Sequence, residues 1–144
     1  MGAMHMQAQG QYIQAIDVQS IVDSIFKDSQ HTKRRRSSAN AALGIISSAS
    51  LIIHRIGRGL ARALNLSDKH AIKQVDRLLS NTKLSIETCA QAYVPYVLGA
   101  RKEVKIAMDW TDFDKDNHTT LMLNLITSHG RATPLLGRLF LKAV

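Results

Sequence analysis

Near Val104 the spacing of apolar residues switches from about 3.6 to 2, and a segment can obey only one of those periods. The chain is therefore α+β, with helices first and strands after. Val18, Ile21, Val22, Ile25 and Phe26 form the stripe of a first helix within residues 11–28. Ile45, Ala49, Ile52, Ile53, Ile56, Leu60 and Leu64 form a second, which predicts one long helix over residues 38–64 with Ser37 or Ser38 as its N-cap. Gly44, Gly57 and Gly59 each weaken that helix by up to ~1 kcal/mol relative to Ala, so a bend is expected near residues 57–59. After the link Asn65-Leu66-Ser67, Ser67 caps a third helix over residues 68–80, with Ala71, Ile72, Val75, Leu78 and Leu79 on its core side. A link this short makes the second and third helices a hairpin or a helix-turn-helix. Ile86, Cys89, Ala90, Tyr93, Val94 and Val97 mark a fourth helix, expected to kink or end at Pro95, which offers no N–H to the Gln91 carbonyl.

Beyond the switch, Val104, Ile106 and Met108 alternate with Lys105, Ala107 and Asp109, which predicts a strand over residues 104–111 with a second face that is also largely apolar. A second strand is expected over residues 118–127. Ser128-His129-Gly130-Arg131 is a tight turn with Gly where positive φ is needed, and a third strand starts at Ala132. Pro134 argues that this third strand lies at an edge, or that its backbone nitrogen points away from a partner. A three-stranded meander with apolar residues on both faces needs a cover, and Tyr93, Tyr96 and Trp110 are assigned to the core.

Charge follows the same division. Nineteen Lys and Arg against eleven Asp and Glu give a net +8. Residues 1–26 carry −2, residues 27–105 carry fifteen bases against five acids, and residues 106–144 carry four of each sign. The basic excess thus coincides with the helices and points to a polyanion partner rather than a small-molecule substrate. On the helices, Arg55, Arg58 and Arg62 fall on one face, as do Lys69, Lys73 and Arg77, each opposite its apolar stripe, and Lys33, Arg34, Arg35 and Arg36 form a run ahead of the second helix. An amphipathic helix must show water some polar face, so each set alone means little. Their joint occurrence, with His70 beside Lys69, favours phosphate contacts. The single cysteine, Cys89, excludes an intramolecular disulfide or a cysteine-built zinc site within one chain. No run of about eighteen apolar residues spans a membrane, so a cytoplasmic protein is expected. Residues 1–6 read as a vector-derived leader.

Asp109, in Ala107-Met-Asp-Trp-Thr-Asp112, is a carboxylate late in a buried-looking strand, where it has no packing role. It is either an exposed strand-end Asp or a preorganised Mg²⁺ ligand. Asp112, Asp114 and Asp116 have the even spacing of a calcium loop, but Asn117 stands where that loop needs Gly and Leu123 where it needs Glu, so the motif fails. The six histidines lack metal spacing, and no Walker loop, serine nucleophile elbow or Cys/His constellation occurs.

The segments His70-Ala-Ile-Lys-Gln-Val-Asp-Arg-Leu-Leu-Ser-Asn81, Val94-Pro-Tyr-Val97, Gly99-Ala-Arg-Lys-Glu-Val104, Ala107-Met-Asp-Trp-Thr-Asp-Phe-Asp114 and Thr127-Ser-His-Gly-Arg-Ala-Thr-Pro-Leu-Leu136 resemble, in order, the N-terminal part of bacterial insertion-sequence transposases of the IS-four type. The resemblance covers roughly residues 30–136. It implies a DDE transposase: a helical DNA-binding region, here residues 7–98, followed by the first three strands of an RNase H-like sheet, here residues 99–144. In that family two Asp and one Glu hold Mg²⁺ for cleavage and strand transfer at transposon inverted repeats. Asp109 matches the first catalytic and metal-binding Asp, and the other two carboxylates fall beyond residue 144. The stretch Gly137-Arg-Leu-Phe-Leu-Lys-Ala-Val144 departs from the family pattern, as a truncated or frameshifted reading frame would. The expectation is a DNA-binding but catalytically incomplete fragment in the bacterial nucleoid, with weak or absent Mg²⁺ binding, partnered by double-stranded DNA and by itself or an intact transposase. The other reading is a stand-alone helix-turn-helix regulator or an inhibitor of the intact enzyme; a third is a poorly folding decay product.

Overall fold

The computed structural model describes residues 13–128 and 130–142, so the leader and His129 lie outside the described residues. Five helices precede a three-stranded antiparallel sheet: α1 (Ala15–Phe26), α2 (Thr32–Ser48), α3 (Ile53–Leu64), α4 (Asp68–Leu79), α5 (Ile86–Leu98), β1 (Lys105–Phe113), β2 (His118–Ile126) and β3 (Ala132–Leu141). The α+β class and the order of elements agree with the periodicity. Contacts divide the chain after Asn81, one helix earlier than the boundary at 98/99 read from the sequence, so that α5 goes with the strands.

The first unit, α1 to α4, closes around Val18, Val22, Leu43, Ile56, Leu60, Ala71 and Val75, with Leu60 and Ala71 fully buried. Two expectations change here. The long second helix is two helices inclined at 95°, broken at residues 49–52, not bent at residues 57–59. Ala49 takes a left-handed conformation at φ 47°, and the Ser50 hydroxyl accepts the Ile52 N–H at the start of α3. The physical reason lies in the glycines. A Cβ on Gly59 would stand 2.5 Å from the Gly44 carbonyl oxygen, and one on Gly57 would stand 2.5 Å from the Ile72 side chain. Glycine therefore serves as the contact surface on which α3 folds back over α2 and packs against α4, and burial on both sides outweighs its weak helix propensity.

The second change concerns the start of α2. It begins at Thr32, capped by His31, whose Nδ1 accepts the Lys33 N–H at 3.3 Å, so Ser37 and Ser38 are interior residues. The basic run Lys33 to Arg36 consequently occupies the first turns of a helix. Ser67 caps α4 as expected, accepting the His70 N–H at 3.3 Å.

In the second unit, α5 continues through Pro95 and ends at Leu98, where Gly99 has φ 57° and Arg101 donates to the carbonyls of Val97 and Leu98 at 2.8 and 2.9 Å. Pro95 does not end it, and it leaves the Gln91 carbonyl without its intrahelical N–H. The sheet order is β1-β2-β3, with Asp109 opposite Met122 and Trp110 opposite Leu121. Pro134 lies on the edge strand β3, at a register shift where it pairs Asn124. The Tyr93 hydroxyl donates to the Pro134 carbonyl at 3.2 Å, tying α5 to β3. Trp110 is 59% exposed rather than core; its ring stacks on Phe140 at 6.2 Å between centroids. Met108 and Tyr96 are exposed too, whereas Leu125 and Thr119 are buried, so among the described residues the sheet's apolar surface is covered only in part.

Candidate nucleic-acid interface

A helix that opens Thr32-Lys33-Arg34-Arg35, with Arg36 following, is electrostatically inverted, because cations at the positive end of the helix dipole cost about 0.3–1 kcal/mol each when exposed. Among the described residues, Arg35 is the one of these four whose charge meets a carboxylate within the protein. Its Nε donates to Asp23 Oδ1 at 2.5 Å and its guanidinium to the Gln30 carbonyl at 2.7 Å, and its side chain is 16% exposed. Arg35 was expected among the DNA-facing cations, but it fastens α2 to α1. In return the Arg35 guanidinium, followed by the Gln19 amide, holds the Asp23 carboxyl below its usual range.

Lys33 and Arg34 instead border an open cleft of about 580 Å³ whose other wall is α4. His31, Lys33 and Arg34 come from the start of α2, and His70, Lys73 and Arg77 from α4. The α4 residues follow from helical spacing. With Ala71, Val75 and Leu78 buried, Lys69, Lys73 and Arg77 lie on the outer face and His70 and Gln74 on the flank toward α2. Neither Asp68 nor Asp76 lines this cleft. The cleft thus combines four permanent cations, two imidazoles and a helix N-terminus, which is the donor set of an oxyanion site. Lys69 and Arg36 are exposed outside it. The meeting of the basic run with the α4 face was not readable from periodicity, because it depends on α2 starting at Thr32.

Arg55, Arg58 and Arg62, on the outer face of α3, line a separate cleft of about 320 Å³ with Ser48 and Asp68. Arg58 Nε stands 3.5 Å from Asp68 Oδ2, and Arg62 donates to the Ser47 carbonyl at 3.5 Å.

Asp109 lies in an edge strand of the described sheet, exposed, with the Thr111 hydroxyl donating to its Oδ2 at 3.3 Å. Its exposure agrees with the first of the two readings, an exposed strand Asp, although the strand around it is less buried than its apolar neighbours suggest. Asp112 and Asp114 are engaged by Lys142, at 3.4 and 2.5 Å. The Thr119 hydroxyl, more than Lys142, holds the Asp112 carboxyl below its usual range, and the bond to Asp114 pushes the Lys142 amine up. Among the described residues no three His, Cys, Asp or Glu side chains converge on one point. One isolated carboxylate does not fit a two-metal magnesium centre, and no catalytic step is derived through such an ion. Among the same residues, no single helix is long and apolar enough to cross a membrane. Compared with known proteins, the chain matches no family model, no curated protein and no solved structure.

Proposed function

We propose that the chain binds double-stranded DNA through the cleft between α2 and α4, as the DNA-binding N-terminal portion of a transposase of the DDE type that is catalytically incomplete in this form. One observation carries the reading: Lys33 and Arg34 at the α2 N-terminus, which meet no carboxylate among the described residues, face Lys73 and Arg77 of α4 across one open cleft. That arrangement costs folding energy that an anion returns. A row of phosphates fits it better than a single small anion, because Lys69 and Arg36 extend the positive surface beyond the cleft. The transposase assignment rests on the sequence resemblance, and the lack of catalysis on Asp109 standing without a second carboxylate. Asp109 would contribute one Mg²⁺ ligand where the remaining ligands are supplied.

The α3–α4 pair is joined by only three residues, a link that suits a helix-turn-helix, whose second helix reads the major groove. On this reading Lys69 and His70, in the first turn of α4, meet base edges, while Lys33, Arg34, Lys73 and Arg77 hold backbone phosphates across the cleft. The second reading, a stand-alone regulator or inhibitor, is favoured by the division after Asn81, which makes α1 to α4 a self-contained unit. Titration onto duplexes carrying transposon inverted repeats and onto random duplexes, at several salt concentrations, tests the proposal. Charge reversal at Lys69, Lys73 and Arg77 abolishes retention if the reading is right. Unchanged retention would refute the choice of α4.

A further inference from the structure

We infer that the arginine cleft of α3 is a second phosphate site, separate from the α2–α4 cleft and occupied in the free protein by the Asp68 carboxylate. The inference rests on the DNA-binding reading and deepens it, since it assigns two backbone phosphates to two ends of one helix. Arg55, Arg58 and Arg62 converge there with the first turn of α4, whose dipole adds positive potential at the same place. The Ser48 hydroxyl on the wall of this cleft is buried and has no hydrogen-bond partner among the described residues, so it is a donor in want of an acceptor. The volume of about 320 Å³ is roughly ten times the ~30 Å³ share of one water, enough for a hydrated phosphodiester.

Asp68 marks where the anion belongs. Its carboxylate is the negative group of the cleft, and its contact with Arg58 is long, at 3.5 Å, with both side chains 61% exposed. An exposed pair of that geometry is weak and exchanges readily. A phosphodiester with two free oxygens can take Arg58 and Arg62 together, which a carboxylate at 3.5 Å from one nitrogen does not. Asp68 lines this cleft, whereas His70, Lys73 and Arg77 line the other. The α4 helix therefore lies between two phosphate grips, as a helix seated in a groove between two strands requires.

The test measures duplex affinity of the full chain against salt for wild type, R55Q/R58Q/R62Q, D68N and D76N. Asp76 is exposed on the same helix, lines neither cleft and controls for net charge. If one phosphate sits in the arginine cleft, the triple variant lowers the slope of log K against log salt by about 0.9. D68N, freeing the cleft, tightens binding roughly threefold, as expected for one unit charge removed a few ångströms from a phosphate in water, and D76N does so by less. An unchanged slope in the triple variant, or equal gains in D68N and D76N, overturns the second site. Loss of salt-dependent binding in the wild type would instead overturn the DNA reading itself. Circular dichroism of each variant separates lost contact from lost fold: reduced helix content in the triple variant moves the test to D68N against D76N alone, where equal affinities overturn the proposal.

Discussion

Replacing Gly59 with Ala sets helix propensity against packing, and the structure decides which wins. In an exposed helix the substitution stabilises by about 1 kcal/mol. At Gly59 the new methyl would meet the Gly44 carbonyl oxygen at 2.5 Å and the Ser48 Cβ at 2.9 Å. Ordinary contact begins near 3.4 Å, so α2 and α3 must part by several tenths of an ångström. The obstacle is backbone on one side and a rigid helix on the other, and such overpacking costs typically 1–3 kcal/mol. The expected net change is a loss of up to about 2 kcal/mol. For a unit of this size that lowers Tm by up to roughly 16 °C. Thermal melting by circular dichroism at 222 nm, with Ala63→Gly on the exposed side of α3 as the propensity control, measures it. A Gly59→Ala protein that melts higher than wild type would refute the close crossing of α2 and α3, and with it the placement of the arginine face.

Arg35→Gln lowers Tm while leaving the salt slope of DNA binding unchanged, because Arg35 ties α2 to α1; a reduced slope would return it to the interface. Asp23 stabilises the fold above the ordinary carboxylate pKa of 3.8, since its pKa is depressed in the folded state; the stability difference between wild type and Asp23→Asn therefore shrinks as pH falls below about 4, and urea melts at stepped pH check it. Trp110 is the sole tryptophan, so its exposure predicts fluorescence that iodide quenches readily, and a shielded signal would mean that the sheet face is covered in solution. On the proposed function, the chain makes no nicks with Mg²⁺ and supercoiled plasmid; nicking that disappears in Asp109→Ala would contradict that proposal.

Periodicity located α1, α4, α5 and the three strands, because each is amphipathic or apolar enough to carry its own signal, but it merged α2 and α3 into one helix. What it missed was tertiary. The Ile45 to Leu64 stripe runs unbroken through Ala49, and only the need of Leu43 and Leu60 for a common core explains the fold-back there. The role of the glycines reversed for the same reason: they weaken a helix taken alone and permit contact between two. In the basic run, spacing gave four equivalent cations, whereas the structure separates Arg35, bound to Asp23, from Lys33 and Arg34, which face α4. A carboxylate twelve residues away cannot be matched to one member of such a run without the α1–α2 turn. Asp109 looked buried because its neighbours are apolar, yet an edge strand exposes apolar residues when no other layer lies on them.

The most direct test of the central claim compares wild type with K33A/R34A/K73A/R77A in duplex binding across a salt series. Each cation that contacts phosphate contributes about 0.9 to the slope of log K against log salt, so the account predicts a loss of roughly 3–4 in slope with helix content retained. An unchanged slope in a folded variant would place the DNA elsewhere on the protein and contradict the account.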